Sequence, residues 1–362
     1  MPKKFILVLI IAQSILMFYH WVIYKLLLSY FPQLNSSHNL VLYISLILSL
    51  SFLAFSTICH YFENTLLRIG YILSTIWLVF SLYFLLGGAI ISILNLVSLV
   101  NITILGSIST SIAISLTIYG LINARIIRVT KVRVTLPNLP DYWKNKTAIV
   151  AADLHFGQVL KQGTAKKVVK KINSLNPEIV LIPGDFYDGM HNNFEHPANE
   201  FKHIKAPSGS FFSSGNHELY AGYKLCEQAI KNAGIKILEN KVIELKGLQI
   251  IGLAYASETN QSVAIQLEKI KFKKNLPSVL LKHVPNHLNA VEKAGVNLQL
   301  SGHTHLGQVW PFRYITKKVF KGFDYGLNKL GNLQVLTSSG VGTWGPPMKV
   351  FTKSELVEIT FI

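Results

Sequence analysis

From Ile69 to Ala124 the chain runs 56 residues without an Asp, Glu, Lys, Arg or His. That is too long for one bilayer crossing and suits two helices of the roughly 20 residues a hydrocarbon core requires. Asn95 to Asn101 is the natural turn between them. Upstream, Phe5–Tyr24 and Leu40–Cys59 are each 20 residues without a charged side chain, parted by Lys25 and the turn-forming run from Phe31 to Ser37. None of these stretches has the polar face of a soluble core helix. The first is also too long for a signal-peptide core, and three more follow it. Four spans are predicted, with His20 as the one ionisable group inside a span, near its end.

Beyond residue 124 the pattern changes. Arg125 to Val134 alternates basic with β-branched residues and predicts a strand, followed by a turn at Pro137 and Pro140. Short apolar runs then alternate with polar, helix-like ones. Strands are predicted at Thr147–Ala152, Glu178–Ile182, Ser210–Ser213, Leu248–Leu253, Ser278–Leu281 and Leu298–Leu300, and helices over 164–175, 222–233, 262–271 and 286–295. The rhythm is that of an α/β layered domain with its functional loops at the strand ends. Residues 1–124 are thus expected to form a four-helix transmembrane region, 125–145 a connecting strand and linker, and 146–362 the polar domain.

Charge sharpens this division. Only 15% of the 362 residues are charged and mean hydropathy is +0.37, which excludes a single soluble globule. Residues 1–124 carry four basic side chains (Lys3, Lys4, Lys25, Arg68) and one acidic (Glu63), net +3, leaving 31 basic and 17 acidic for the remainder, net +14. So basic a domain favours polyanions or an anionic membrane surface. Lys and Arg near the span ends fall on one side if the amino terminus is cytoplasmic, which predicts an inner-membrane protein with its polar domain on the cytoplasmic face. Two cysteines, Cys59 and Cys226, provide neither a disulfide framework nor a thiolate metal site.

The chemistry stands at the strand ends. The first predicted strand runs into Asp153-Leu154-His155, the second into Gly184-Asp185 and the third into Gly215-Asn216-His217-Glu218. Later ones reach His283 and Gly302-His303-Thr304-His305. Seven Asp, Asn and His side chains without a Cys suit a pair of divalent ions such as Mn, Fe or Zn. A shared carboxylate lets two such ions sit roughly 3.5–4 Å apart, where they hold phosphoryl oxygens and lower the pKa of a bridging water. No protein nucleophile is visible.

In these motifs the sequence resembles the calcineurin-like metallophosphoesterase superfamily, over about residues 130–362. The segments from Gly302 to Gln308 and from Ser339 to Pro347 are similar to a bacterial branch of membrane-associated phosphoesterases and enzymes that split UDP-2,3-diacylglucosamine. The resemblance implies two packed sheets flanked by helices. It places Asp153, His155, Asp185 and His305 on one ion and Asp185, Asn216, His283 and His303 on the other, with Asp185 as the bridge. It also sets His217 against the substrate, where it acts with the Asp153 site in catalysis. Ala152 stands where many members have Ser, and Leu306, where many have Gly, adds bulk beside the metals.

The resulting expectation is a membrane-anchored dinuclear phosphoesterase. It hydrolyses a phosphate ester or pyrophosphate, of a lipid-linked substrate, by attack of a metal-bridging hydroxide. A nucleotide or nucleic-acid phosphodiesterase draws on the same metals and charge but lacks a stacking platform of interleaved aromatics and Arg, so nucleic acid is not the expected partner. A catalytically silent membrane sensor is opposed by the complete ligand set. Glu218 reads as a residue supporting the ligands from behind or as a helix-start residue rather than a base, and Lys166, Lys167, Lys170 and Lys171, like Lys269, Lys271, Lys273 and Lys274, as solvated faces or lipid-headgroup contacts. His191 and Asp188 follow the Asp185 loop and could reach substrate. Phe211 and Phe212 read as core, Trp310 and Trp344 as pocket or interface residues.

Overall fold

The computed structural model describes residues 3–97, 101–190, 193–256 and 259–362. His191, and part of the expected 95–101 turn, lie outside them. Contacts divide the chain into two compact units, Met1–Ile122 with Gly345–Met348, and Asn123–Trp344 with Lys349–Ile362.

The first unit holds four long apolar helices: α1 (Lys3–Tyr30), α2 (His38–Tyr61), α3 (Thr65–Val97) and α4 (Ile102–Ala124). Each is long and apolar enough to cross a membrane. The first helix outruns the predicted span because nothing breaks it before Pro32, and Lys25 lies over the Trp21 and Tyr24 rings. His20 is therefore well inside its helix rather than near the end. It is buried, with Nδ1 against the Leu16 carbonyl and Nε2 accepting from Trp77 Nε1 at 2.9 Å. That pairing makes His20 a packing residue.

The second unit contains two six-stranded sheets. Its strands are β1 (Ile127–Val134), β2 (Thr147–Val150), β3 (Ile179–Pro183), β4 (Ser210–Ser213), β5 (Lys236–Ile237), β6 (Lys241–Leu245), β7 (Leu248–Gly252), β8 (Ser278–Leu281), β9 (Leu298–Ser301), β10 (Gly326–Leu330), β11 (Leu333–Thr337) and β12 (Ser354–Phe361). Its helices are α5 (Gln162–Asn173), α6 (Glu195–Glu200), α7 (Asn216–Ala221), α8 (Tyr223–Asn232), α9 (Asn260–Ile270), α10 (Leu288–Ala294) and α11 (Arg313–Val319). One sheet has the order β1-β12-β2-β3-β4-β5, the other β10-β11-β9-β8-β7-β6. In the first, β2, β3, β4 and β5 run parallel; in the second, β7, β8, β9 and β11 do.

Alternation along the strands builds three apolar layers. Ala148, Val150, Ile179, Leu181 and Phe211 of the first sheet meet Leu248, Ile250, Val279, Leu281 and Leu298 of the second. The opposite face of the first sheet, with Ile149, Val180, Ile182 and Phe212, is covered by α5, α6 and α8. The outer face of the second is covered by α9 and α10. Strands buried on both faces carry the continuous apolar runs that made them visible in the sequence. On α5, Ala165, Val168, Val169 and Ile172 are buried and the lysines point away, which makes that run a solvated face.

Residues 125–145 carry the strand expected over Arg125–Val134. They contribute β1, paired along its whole length with β12, and the fully buried Trp143, whose Nε1 donates to the Leu245 carbonyl at 2.8 Å. By contacts the polar domain begins at Asn123.

Candidate metal centre

Parallel strands deliver their loops to one edge, and here both sheets do so together. Asp153 and His155 follow β2, Asp185 follows β3 and Asn216 and His217 open α7 after β4. His283 follows β8, and His303 and His305 follow β9. All are buried except His303, which is half-buried.

Asp185 is the hub. Its Oδ2 lies 3.1 Å from His283 Nε2, 3.7 Å from His155 Nε2 and 3.9 Å from His217 Nε2. His155 and His305 face each other through Nε2 atoms 3.0 Å apart, and His303 Nδ1 is 3.2 Å from His283 Nε2. Three overlapping groups result, each compact enough for one ion: Asp153 with His155 and His305, His155 with Asp185 and His217, and Asp185 with His283 and His303. The structure thus brings the six predicted Asp and His ligands together, sets Asn216 buried at the start of α7, and adds His217 to ligand reach, which the sequence pattern had set apart as a substrate-facing residue.

The donors fit divalent cations. Asp153 Oδ2, His155 Nδ1, Asn216 Oδ1 and His305 Nδ1 are buried without a hydrogen-bond partner, an arrangement that is costly in a dry interior without a ligand. Burial, reinforced by neighbouring imidazolium charge, lowers the pKa values of His155 and His305 well below the usual range and that of His303 to about 4, so all three present neutral lone pairs. Burial raises Asp153 to about 7. Burial disfavours the His283 cation too, but the Asp185 and Asp153 carboxylates outweigh it and raise its pKa to about 9. Burial likewise opposes ionisation of Asp185, yet the surrounding His283, His155 and His217 hold its carboxyl far below the usual value. His283 is oriented by its Nδ1–H, which donates to the Pro183 carbonyl at 2.9 Å and leaves Nε2 for the cluster.

Backbone strain is concentrated at the same places. Asp153, His155, Asp185, His303 and His305 all adopt positive φ between 48° and 71°, a conformation that costs non-glycine residues free energy and that clusters at functional sites. Close approach then demands glycine: a Cβ on Gly302 would lie 2.4 Å from Asp153 Oδ2, and one on Gly215 would lie 2.1 Å from Asp185 Oδ1.

Two buried charged residues brace the ligand loops. Glu218 does begin α7, and it does more: its carboxylate accepts from the backbone N–H groups of Gly215 at 2.7 Å and of Asp185 and Tyr187, each at 3.1 Å. It ties the β3 and β4 loops together. Glu218→Ala should strand those three buried donors and lower stability by at least about 3 kcal/mol, read as a drop in the thermal unfolding midpoint of the polar domain in detergent. Lys349 is the other. Its buried ammonium donates to the carbonyls of Ser339 and Gly340, both at 2.7 Å, and of Lys353 at 3.0 Å, fixing the loop that backs Asp153. Burial pushes its pKa down to about 7. A lysine without a motif neighbour gave no signal. Asp188 is half-buried, and its side chain accepts from the Gln158 and Met190 N–H groups, so it shapes the loop.

Residues 146–307 match the family model for calcineurin-like phosphoesterases. Over 234 residues the chain is 33% identical to an uncharacterised metallophosphoesterase of Campylobacter jejuni, covering 63% of this chain and 62% of that one. It is 28% identical over 255 residues to an uncharacterised metallophosphoesterase of Aquifex aeolicus, covering 69% and 97%. A transmembrane protein with a metallophosphoesterase domain from Danio rerio is 26% identical over 274 residues, covering 71% of this chain and 62% of that one. These matches are to metallophosphoesterases, and the matched residues include the strand ends that carry the candidate metal centre. Within the chain, residues 146–307 are the part that is similar to the calcineurin-like phosphoesterases. Four long apolar helices and a relative named as transmembrane mark the chain as a membrane protein. The chain spans less than two thirds of the length of the Campylobacter relative.

Proposed function

We propose that this chain hydrolyses a phosphate ester or pyrophosphate bond of an amphiphilic, lipid-linked substrate, of the UDP-2,3-diacylglucosamine or phospholipid type, at the cytoplasmic face of an inner membrane. The observation that supports hydrolysis is the convergence of three histidine nitrogens on Asp185 Oδ2 within 3.9 Å. What favours an amphiphile is the rim beside His217. Leu219 and Tyr220 are exposed, and the Trp344 ring, 61% exposed, meets the His217 ring edge-on at 6.5 Å.

Asp153, His155, Asp185 and His305 would hold one divalent ion, and Asp185, Asn216, His283 and His303 a second. Such ions supply Lewis-acid charge toward phosphoryl oxygens and make water acidic enough to attack at neutral pH. The chain provides the rest. His217 donates from Nδ1 to the Asp188 carbonyl at 2.7 Å, which turns Nε2 toward the cluster. A proton carried at Nε2 is placed to reach the leaving oxygen or a phosphoryl oxygen. The buried walls of the site exclude bulk water and strengthen both effects.

The test is hydrolysis by detergent-purified protein of bis-p-nitrophenyl phosphate, p-nitrophenyl phosphate, UDP-2,3-diacylglucosamine and common phospholipids. Chelator-stripped protein should be inactive, and Mn, Fe or Zn should restore turnover, with a lipid phosphate preferred. Higher turnover of soluble diesters than of any lipid phosphate would remove the lipid part. For the orientation, residues 150–362 should resist protease added outside intact cells; ready digestion there would refute the cytoplasmic placement.

A further inference from the structure

Just after the His303–His305 loop the chain puts side chains where a soluble domain would not. In α11 and its flanks, Tyr314 is 63%, Ile315 58% and Val319 63% exposed, and Trp310 and Phe312 are exposed beside them. No residue of α11 is buried. The same stretch carries Arg313, Lys317, Lys318 and Lys321, and no Asp or Glu occurs from Pro311 to Phe323. A short helix with aromatic and aliphatic side chains among basic ones is the composition of an interfacial element, whose apolar groups sink into the headgroup boundary while its cations meet lipid phosphates.

The element is held rigidly. Thr316 Oγ1 donates to Asp324 Oδ2 at 3.0 Å, Asp324 is buried, and Thr304 Oγ1 donates to the Asp324 carbonyl at 2.7 Å. The Phe320 ring lies 6.1 Å from that of His303. Whatever α11 touches is therefore mechanically joined to the ligand loop.

We propose that residues 310–321 dock on an anionic lipid surface, with Phe312, Tyr314, Ile315 and Val319 as the inserted side chains and Arg313, Lys317, Lys318 and Lys321 as the phosphate contacts. A second copy of the chain is a poor occupant, since four cations would face four cations. An anionic bilayer complements both the charge and the apolar groups, and the chain's own four apolar helices keep one within reach. This surface lies outside the lysine runs of α5 and of residues 269–274.

The experiment uses the full chain reconstituted in phosphatidylcholine vesicles with and without phosphatidylglycerol, with an environment-sensitive fluorophore on Ile315→Cys; Cys59 and Cys226 are buried. Nitroxide carried on lipid headgroups should quench the fluorophore in the anionic vesicles and much less in pure phosphatidylcholine. Reversing Lys317, Lys318 and Lys321 to Glu should weaken the docked population by roughly a hundredfold or more, the product of three headgroup contacts. All three lysines are exposed, so folding should survive; Lys317→Gln with Lys318→Gln provides a milder variant with a smaller loss in the same direction. Quenching by aqueous iodide with none by nitroxide lipid in either vesicle would overturn the proposal. So would protection from both quenchers, which would assign the face to a protein partner.

Discussion

Asp185→Asn should abolish metal-dependent turnover, with a loss of at least about 10³-fold, the several kcal/mol that metal-centred charge stabilisation contributes to a phosphoryl-transfer barrier. The substitution is nearly isosteric and spares the acceptor at Oδ1, which takes the His217 backbone N–H at 3.0 Å, so the fold should persist. It removes the one carboxylate that three histidines share through Oδ2. Metal content per chain, measured by plasma emission spectrometry after dialysis against trace Mn or Zn, should fall together with activity. Full loading with turnover near that of the unaltered protein would contradict Asp185 as the bridging ligand.

His217→Ala is the complementary case. A proton donor or charge stabiliser at Nε2 contributes roughly 10²–10⁴-fold, so turnover should drop by that factor while metal content stays constant. The loss should also shrink with p-nitrophenyl esters, whose leaving oxygen needs little protonation. The geometry makes the metal measurement decisive, since His217 lies in a compact group with His155 and Asp185. A proportional loss of bound metal would make His217 a ligand and move the proton-donor role elsewhere.

Much of this site could be read from the sequence because each ligand follows closely on a short, predominantly apolar strand. A strand buried on both faces cannot vary freely, and the Asp, Asn or His that ends it stands out against that run. Ser210–Ser213 and Ser278–Leu281 were predicted to the residue for this reason. Parts that depend on distant partners were silent. The strand at Arg125–Val134 was legible, but its pairing with Ser354–Phe361 joins residues more than 200 positions apart, and no local pattern encodes it. For Glu218 a supporting role and a helix start stayed equally open, because the Asp185 and Tyr187 N–H groups it accepts from come from another loop. The positive φ values at five ligands left no trace either, since Asp and His tolerate that conformation but nothing in the local pattern marks which of them adopt it.

The strand order of the first sheet also says something about how the molecule is made. β1 leaves the ribosome directly behind the fourth apolar helix, yet its neighbour β12 is synthesised after every metal ligand and both remaining layers. Until β12 arrives, β1 and β2 present unpaired edges, the kind of surface that invites pairing with other chains. The alternating basic residues Arg128, Lys131 and Arg133 on β1 discourage such pairing during that interval. The sheet can therefore close around β12 only after the residues of all the metal-bearing loops have been synthesised.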